Sequence, residues 1–290
     1  MSIGVVVMAY GTPASADDLT AYYTHIRRGR APSDEQVAEL RVRYDAIGGM
    51  SPLREITEAQ RDRIAGALGA GYEVMLGYRH APPFIEDAVG LLRDKQVTEL
   101  VGVVLAPHDS RSSIGEYVER LGPDAEALRS WHALPEWRAF EASAVRAGLA
   151  SLPSRTHVVF TAHSLPERAF EGDVYVDELE SSARGIAAIA QLADDDWSIG
   201  WQSAGRTPEP WRGPDIVGML ESVASRGGVD GVLLCPQGFT ADHLEVLYDL
   251  DIVAATKARE LGLAFGRTAM LNDDAEVLTA LAEKLRALVA

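Results

Sequence analysis

Three carboxylates recur at helical spacing in residues 242–249. On a helix, Asp242, Glu245 and Asp249 fall at positions i, i+3 and i+7 and share one face. Such spacing usually marks a solvated acidic stripe, but the remaining positions here are apolar, and a helix that is apolar on nearly all sides is buried. Buried carboxylates must be paired, bound to a metal or directed into a wet cavity, so the pattern favours a functional role.

A histidine ends a valine-rich apolar run near the middle of the chain. His163 follows the predicted strand 157–162, and Tyr10 follows the predicted strand 3–9 in the same way. An isolated histidine is more often structural than catalytic, yet this position at the end of a strand favours chemistry. An imidazole near a carboxylate such as Glu245 can bind a divalent metal ion or relay protons.

Arginines are concentrated in one short segment of an otherwise acidic chain. Arg27, Arg28 and Arg30 fall within four residues, and Arg41 and Arg43 follow in the next predicted helix. A solvated basic turn would account for them. A clamp for carboxylates or phosphates would do so equally well, because the guanidinium fork matches both groups. The residues alone leave these two interpretations open.

The elements that must position these groups alternate between extended and helical patterns. Short apolar runs predict strands at residues 3–9, 72–78, 100–106, 157–162, 197–201 and 231–235. Amphipathic segments predict helices at residues 17–28, 34–44, 58–68, 84–94, 177–193, 214–226, 242–261 and 274–288. This alternation predicts an α/β protein whose parallel sheets are covered by helices on both faces.

A weak internal repeat divides the chain into two parts. Three strand ends in the first half match three in the second half, in the same order: residues 9–13 with 162–166, 77–80 with 200–203, and 105–108 with 234–237. The repeat predicts two similar α/β lobes, 1–152 and 153–290, with the last helix free to pack back on the first lobe. Ligands bind beyond the carboxyl ends of parallel strands. Tyr10 and His163 would therefore lie on opposite walls of one cleft.

The composition excludes several classes of protein. With 43 acidic and 27 basic side chains, the formal charge of −16 argues against nucleic-acid binding, which depends on neutralising phosphates. The sequence contains neither a Gly-x-Gly-x-x-Gly motif nor a Walker A motif, so binding of a dinucleotide or a nucleoside triphosphate is not indicated. No apolar run reaches the roughly 18 residues of a transmembrane segment, and the first run lacks the basic residues of a signal peptide. A single cysteine, Cys235, excludes an internal disulfide, so we expect a cytoplasmic protein.

The motifs together resemble those of bacterial ferrochelatases along nearly the whole chain. Residues 8–13, 22–30 and 43–53 are similar to the N-terminal half of that family. Residues 162–166, 200–203 and 238–249 are similar to its C-terminal half. The resemblance implies two Rossmann-like lobes with a porphyrin cleft between them. It also implies a lyase that inserts ferrous iron into a porphyrin in heme biosynthesis. The similarity is strongest to the soluble type that converts coproporphyrin III to coproheme.

The resemblance also implies roles for particular residues. His163 and Glu245 would bind the incoming iron or take the pyrrole protons, and Tyr10 would reach the metal from the opposite face of the ring. Asp249 would belong to an outer metal site. The residues expected around the porphyrin are Tyr10, Arg27, Arg28, Arg43, Ser51 and Tyr117.

The resemblance also implies which cofactors and partners to expect. Iron would be a substrate, no organic cofactor would be needed, and one cysteine cannot hold an iron–sulfur cluster. We expect a monomer whose partners are the porphyrin substrate and the heme product. Two positions depart from the family pattern: Val253 stands where some relatives have an acid, which puts the outer metal site in doubt, and Asp109 stands where many have an aromatic residue.

Two other functions fit parts of the sequence. A chelatase of the same fold could load cobalt or nickel into a tetrapyrrole, although the arginine segment and residues 201–203 favour iron. A non-catalytic heme or porphyrin carrier would bind its ligand without needing His163 and Glu245 together. Turnover with each metal distinguishes the first alternative, and a test for metal insertion distinguishes the second.

Overall fold

The first half of the chain forms a four-stranded parallel sheet. The computed structural model describes residues 2–205 and 207–289. The strands are β1 (Ile3–Ala9), β2 (Tyr72–Tyr78), β3 (Glu99–Val104) and β4 (Glu126–Leu128), in the order β2-β1-β3-β4. The helices are α1 (Leu19–Ile26), α2 (Asp34–Ala46), α3 (Leu53–Leu68), α4 (Ile85–Asp94), α5 (Ile114–Leu121) and α6 (Pro135–Leu149). A 3-10 turn, Ala16–Asp18, precedes α1.

The second half repeats this arrangement. Its strands are β5 (Thr156–His163), β6 (Trp197–Gln202), β7 (Gly231–Cys235) and β8 (Ala264–Arg267), in the order β6-β5-β7-β8. Its helices are α7 (Tyr175–Ala190), α8 (Ile216–Ser225), a π-helix (Glu245–Ala254), α9 (Ala255–Glu260) and α10 (Ala275–Leu288), with 3-10 turns at Glu167–Phe170 and Asp194–Asp196. The identical strand order confirms the predicted pair of similar α/β lobes.

The central strands are apolar because helices cover both faces of each sheet. Val5, Val6 and Val7 of β1 have no exposed surface, although consecutive residues of a strand point to opposite faces. Val158 and Val159 of β5 are equally buried. The run in β5 also contains the buried Thr161, but the partly exposed His163 lies at the carboxyl end of the strand. Chemistry is therefore expected at the carboxyl edges of the two sheets.

Helices from each half pack across onto the other sheet. α6 lies against α7 and β7 of the second sheet, whereas α10 lies against α3 and the first sheet. The fully buried Gln60 of α3 donates to the carbonyl oxygens of Thr240 and Asn272 at 3.2 and 2.7 Å. These contacts fix the two sheets relative to each other and hold the walls of the cleft. The boundary between the two lobes that the sequence places between residues 152 and 153 stays a prediction.

None of the helices within residues 2–205 and 207–289 is both long and apolar enough to cross a membrane.

Candidate active site

A histidine and a glutamate from different elements form the centre of the site. His163 is the last residue of β5, and Glu245 is the first residue of the π-helix. The Nε2 atom of His163 lies 3.6 Å from Oε2 of Glu245. Both side chains are about one-third exposed, at 33% and 32%. The structure therefore brings together the two residues to which the sequence assigned the chemistry.

A backbone hydrogen bond orients the imidazole of His163. Its Nδ1 donates to the carbonyl oxygen of Ser164 at 2.5 Å, so a neutral ring carries its proton on Nδ1. The lone pair of Nε2 is then free on the side of Glu245. Two donor atoms at this separation can share one ion when each lies roughly 2.0–2.2 Å from it. The pair thus offers one nitrogen and one oxygen ligand, a combination suited to a divalent transition metal.

The carboxylate of Glu245 is held in its ionised form. Burial is the largest single influence and would raise its pKa, but the imidazole of His163, together with His243 and Arg43, lowers the pKa by more in total. The Nε2 atom of His243 lies 3.9 Å from the Glu245 carboxylate. The pKa of Glu245 falls to about 2 as a result. At neutral pH this residue therefore presents a full negative charge to a metal ion or to a protonated imidazole.

The helix that carries Glu245 differs from the predicted one. The sequence favoured a single α-helix over residues 242–261, whereas the structure has the π-helix followed by α9. A turn of π-helix takes more than four residues, because its hydrogen bonds join residues five apart. Glu245 and Asp249 therefore lie nearly one above the other along the axis. π-Helical turns are frequent at functional sites, where they redirect side chains.

Asp242 does not belong to the acidic face that the sequence predicted. It precedes the helix and accepts a hydrogen bond from the amide of Asn272 at 2.8 Å. It also pairs with Nη2 of Arg267 at 3.0 Å. The prediction was wrong for this residue because its carboxylate ties the loop before the helix to the segment around β8. Only two acids of the stripe remain at the site.

Asp249 joins the two halves of the chain through Arg43. The guanidinium of Arg43, on α2, pairs with Asp249 and lies over the ring of Tyr248, with Cζ 4.7 Å from the ring centroid. The hydroxyl of Ser203 donates to Oδ2 of Asp249 at 2.5 Å. Burial and the charge of Glu245 raise the pKa of Asp249, and Arg43 and Ser203 partly offset this rise. The carboxylate that was expected at an outer metal site is thus engaged by an arginine.

Tyr10 forms the other wall together with Arg79, His80 and Tyr117. The Tyr10 ring is 40% exposed and lies 4.5 Å from the ring of His80, centroid to centroid. Cζ of Arg79 lies 5.9 Å from the centroid of Tyr10 and 5.4 Å from that of Tyr117. Desolvation of the hydroxyl and the charge of Glu245 raise the pKa of Tyr10, so Tyr10 and Glu245 influence each other across the cleft. Burial raises the pKa of Tyr117 to about 12, and Arg79 opposes that rise.

The remaining predicted residues lie farther from this centre. Arg27, at the end of α1, lies over its neighbour Tyr23 and donates to the carbonyl oxygen of Arg30 at 3.2 Å. The Arg28 side chain is 83% exposed and pairs with Glu116. Ser51 is buried at the start of α3, where its hydroxyl accepts a hydrogen bond from the Leu53 amide at 3.3 Å. The structure places these three around the arginine turn and the start of α3 rather than against His163.

A cavity of about 510 Å³ opens beside the histidine–glutamate pair. Its lining combines carboxylates, one arginine and apolar side chains from both lobes. Such a lining suits a ligand that is mostly apolar and carries charged substituents. The lining residues are Glu39, Val42, Arg43, Gln202, Ser203, Ala204, Asp215, Ile216, Glu245, Tyr248, Asp249 and Val253. Glu245 of the pair therefore borders a space that is lined by residues of both lobes.

The two departures from the family pattern have different surroundings. Val253 lines the cavity and is 37% exposed, so an apolar side chain lies one turn beyond Asp249. Asp109 is held by Arg129 through two hydrogen bonds of 3.0 Å. Its amide also donates to Glu178 at 2.7 Å. Asp109 thus belongs to a polar network between α7 and the loop after β3.

In the part of the chain that the structure describes, no group of three or more histidine, cysteine or acidic side chains is arranged to hold a metal. His163 and Glu245 together offer one nitrogen and one oxygen as candidate ligand atoms, 3.6 Å apart.

Sequence reasoning missed several residues that contact the central pair. His243 lies beside Glu245, although the predicted helix placed these two on different faces. Gln202 donates to the backbone oxygen of Glu245 at 3.4 Å and accepts a hydrogen bond from Thr161 at 2.7 Å, which anchors the start of the π-helix. Arg79 packs against Tyr10. The repeat that matches residues 77–80 with 200–203 is the sequence signal that could have found Arg79 and Gln202, because it places both at strand ends. In the structure, Gln202 pairs with His163 on the neighbouring strand.

Comparison with known proteins defines the class. The ferrochelatase family model matches residues 2–288, and the chain therefore belongs to the ferrochelatase family. A coproporphyrin III ferrochelatase of Geobacillus kaustophilus is 42% identical over 96% of this chain and 93% of its own length. A coproporphyrin III ferrochelatase of Bacillus subtilis is 39% identical over 97% of this chain and 96% of its own length. The enzyme class predicted from the sequence is confirmed.

A solved structure shows the same fold at low sequence identity. SirB from Bacillus subtilis, determined with Fe³⁺, superposes with a TM-score of 0.58. It is 12% identical and covers 100% of this chain and 96% of its own. This likeness supports the two-lobed architecture alone.

Proposed function

We propose that the protein inserts ferrous iron into coproporphyrin III and releases coproheme, as a step of heme biosynthesis. The observation that carries the proposal is the separation of 3.6 Å between Nε2 of His163 and the carboxylate of Glu245, beside a cavity between the lobes. The names of the similar proteins from Geobacillus kaustophilus and Bacillus subtilis support coproporphyrin III as the substrate.

His163 and Glu245 can serve both parts of the reaction. Insertion of Fe²⁺ releases two protons from the pyrrole nitrogens, and the iron must lose its waters first. Nε2 of His163 and the ionised carboxylate of Glu245 can replace waters on the ion. Once the metal has moved to the ring, Nε2 can accept one pyrrole proton, and the adjacent carboxylate stabilises the imidazolium. Because His163 is about one-third exposed, it can pass that proton to solvent and then accept the second. With a pKa of about 2, Glu245 supplies charge rather than acting as the proton acceptor.

The second wall and the arginines would hold the ring. Tyr10 is 40% exposed, and the charge of Glu245 raises its pKa, so we assign Tyr10 to the face of the ring opposite the pair. Arg43 lies on the cavity lining, and Arg28 is exposed at the turn after α1. Guanidinium groups bind carboxylates through paired, charge-assisted hydrogen bonds. We assign Arg28 and Arg43 to propionates of the porphyrin, with Arg27, Ser51 and Tyr117 as neighbours of that site.

The proposal also covers the setting of the reaction. Iron enters as a substrate, and neither an organic cofactor nor an iron–sulfur cluster takes part. The protein would act as a monomer in the cytoplasm. Its one thiol, Cys235, is fully buried and unpaired with another cysteine, which fits a reducing compartment.

One anaerobic absorbance experiment tests the function. Protein is mixed with coproporphyrin III and ferrous iron, and the porphyrin bands should convert to those of coproheme with many turnovers per protein. His163→Ala should retain porphyrin binding, seen as fluorescence quenching, but lose insertion. Bound porphyrin without metal insertion in the unsubstituted protein would show a carrier. Faster turnover with Co²⁺ or Ni²⁺ would show a chelatase for another metal.

The preferred porphyrin is measured separately. Coproporphyrin III carries four propionates and protoporphyrin IX carries two, and we expect kcat/KM to be higher for coproporphyrin III. Equal values in an assay without detergent, or a preference for protoporphyrin IX, would contradict the assigned substrate. Iron insertion itself would be unaffected by that result.

A further inference from the structure

One carboxylate bridges two arginines beside the Tyr10 wall. Oε1 of Glu116, on α5, lies 3.1 Å from Nη2 of Arg28, and its other oxygen pairs with Arg79. Arg28 belongs to the turn after α1, where it adopts a left-handed backbone with φ of 55°. Arg79 directly follows β2. Glu116 therefore joins three separate elements through its two oxygens.

The two arginines are bound to Glu116 in very different environments. The side chain of Arg79 is 13% exposed and is also packed against Tyr10 and Tyr117. The side chain of Arg28 is 83% exposed. Exposed ion pairs contribute little and exchange partners readily, whereas a buried arginine is costly to leave without a partner. The bond to Arg28 is therefore the one that another carboxylate can replace.

We propose that Glu116 occupies Arg28 until a propionate of the porphyrin displaces it, while Arg79 keeps the other oxygen. This inference rests on the proposed function, because it takes Arg28 as a propionate partner. In the exchange, Arg28 gives up one carboxylate and gains another, and no charge is left unpaired because Glu116 stays bound to Arg79.

The exchange has consequences for substrate binding. A propionate gains only the difference between its own bond to Arg28 and the bond that Glu116 gives up. Glu116 thus weakens the binding of every porphyrin that uses Arg28, and it favours release of the product. A role that is only structural would have the opposite sign, because loss of the anchor for Arg79 would disorder the Tyr10 wall and weaken binding.

Two variants separate these roles, and a third controls for net charge. Glu116→Gln removes the competing charge, and Glu116→Asp shortens the side chain so that it cannot bridge both arginines. Glu119→Gln changes the net charge equally on the same helix, and Glu119 is exposed, with no ion pair found for it among residues 2–205 and 207–289. Each is combined with Arg28→Gln, and KM and kcat for coproporphyrin III are measured anaerobically.

We expect Glu116→Gln and Glu116→Asp to lower KM about fivefold with kcat within about twofold, a modest change typical of an exposed pair. Arg28→Gln should raise KM about five- to tenfold. In the Arg28→Gln background, substitution of Glu116 should no longer change KM. Glu119→Gln should change nothing.

The outcomes distinguish the two proposals. An unchanged KM in Arg28→Gln removes Arg28 from the porphyrin site and overturns the assignment made under the proposed function. A raised KM in Arg28→Gln, combined with an unchanged or raised KM in both Glu116 variants, overturns the displacement of Glu116 alone. An equal decrease in Glu119→Gln would show a general charge effect and would also overturn it.

Discussion

Replacing Glu245 by glutamine removes the charge beside His163 while preserving the size of the side chain. Oε2 of Glu245 lies 3.6 Å from Nε2 of His163. At an effective dielectric constant of about 20, two unit charges at that distance interact with an energy of about 4–5 kcal/mol. Both side chains keep about one-third of their surface, so solvent screens part of this energy. We expect about 3 kcal/mol of imidazolium stabilisation to be lost. That loss corresponds to a decrease of about 10²-fold in kcat.

Asp249→Asn provides the matched comparison. Asp249 lies one turn farther along the π-helix, and its charge is already offset by Arg43 and by the hydroxyl of Ser203. Its removal therefore changes the field at His163 much less. We expect a decrease in kcat of about tenfold or less, with a larger effect on KM for the porphyrin because Arg43 loses its partner.

The assay follows the initial rate of iron insertion by absorbance under anaerobic conditions, at saturating coproporphyrin III and several ferrous iron concentrations. Urea unfolding of each variant confirms that the fold is retained. The reasoning would be refuted if Asp249→Asn reduced kcat more than Glu245→Gln did. A decrease below about threefold in Glu245→Gln would also refute it, because the charge at 3.6 Å would then contribute nothing to the rate.

Three further predictions concern stability, substrate preference and cofactor content. Burial raises the pKa of Glu141 to about 7, so the native protein keeps a proton on this residue that the unfolded chain loses near pH 4.5. The free energy of unfolding should therefore decrease as the pH rises from 4.5 to 7. Glu141→Gln should remove this decrease in urea titrations, whereas the control Glu136→Gln should not. Arg43→Gln should narrow the kcat/KM preference for coproporphyrin III over protoporphyrin IX about tenfold, with Arg41→Gln on the same helix as the control. Purified protein should contain no acid-labile sulfide, since Cys235 is the single cysteine.

The strands at the centre of each sheet could be predicted closely from the sequence. Residues 3–9 and 231–235 were predicted as strands and coincide with the central strands β1 and β7, and residues 72–78 coincide with the edge strand β2. Nearly all residues of β1 and β7 are buried, so local composition is sufficient to reveal these two strands. The outer strands β4 and β8 were missed because they are three and four residues long and half-buried or exposed.

Two helices and the π-helix could not be recognised locally. α6 buries Trp137 and also Glu141, whose charge suggests a solvent-facing position until the neighbouring thiol of Cys235 is seen 3.3 Å away. α5 is only eight residues long. The π-helix depends on distant anchors, such as the hydrogen bond from Gln202, which no short window of sequence contains.

The reactive residues were easier to predict than their charge partners. His163 follows from its residue type and its position at a strand end, and Glu245 follows from its spacing with Asp242 and Asp249 on a predicted buried helix. By contrast, the bond between Arg43 and Asp249 joins residues 206 positions apart. A pattern of arginines in an acidic chain therefore indicates a carboxylate site without showing which carboxylates of the protein occupy it.

The partners of the arginines change how the charge of the cleft is understood. Without their partners, Arg28, Arg43 and Arg79 would make a strongly positive entrance for a substrate with four carboxylates, in a protein whose overall charge is −16. In the structure, Glu116 neutralises Arg28 and Arg79 in part, and Asp249 neutralises Arg43. Attraction at long range is therefore weak, and under the proposed function the propionates would be recognised by exchange of short-range bonds. Because each exchange replaces one carboxylate by another, porphyrin affinity should depend on geometry at these arginines far more than on ionic strength.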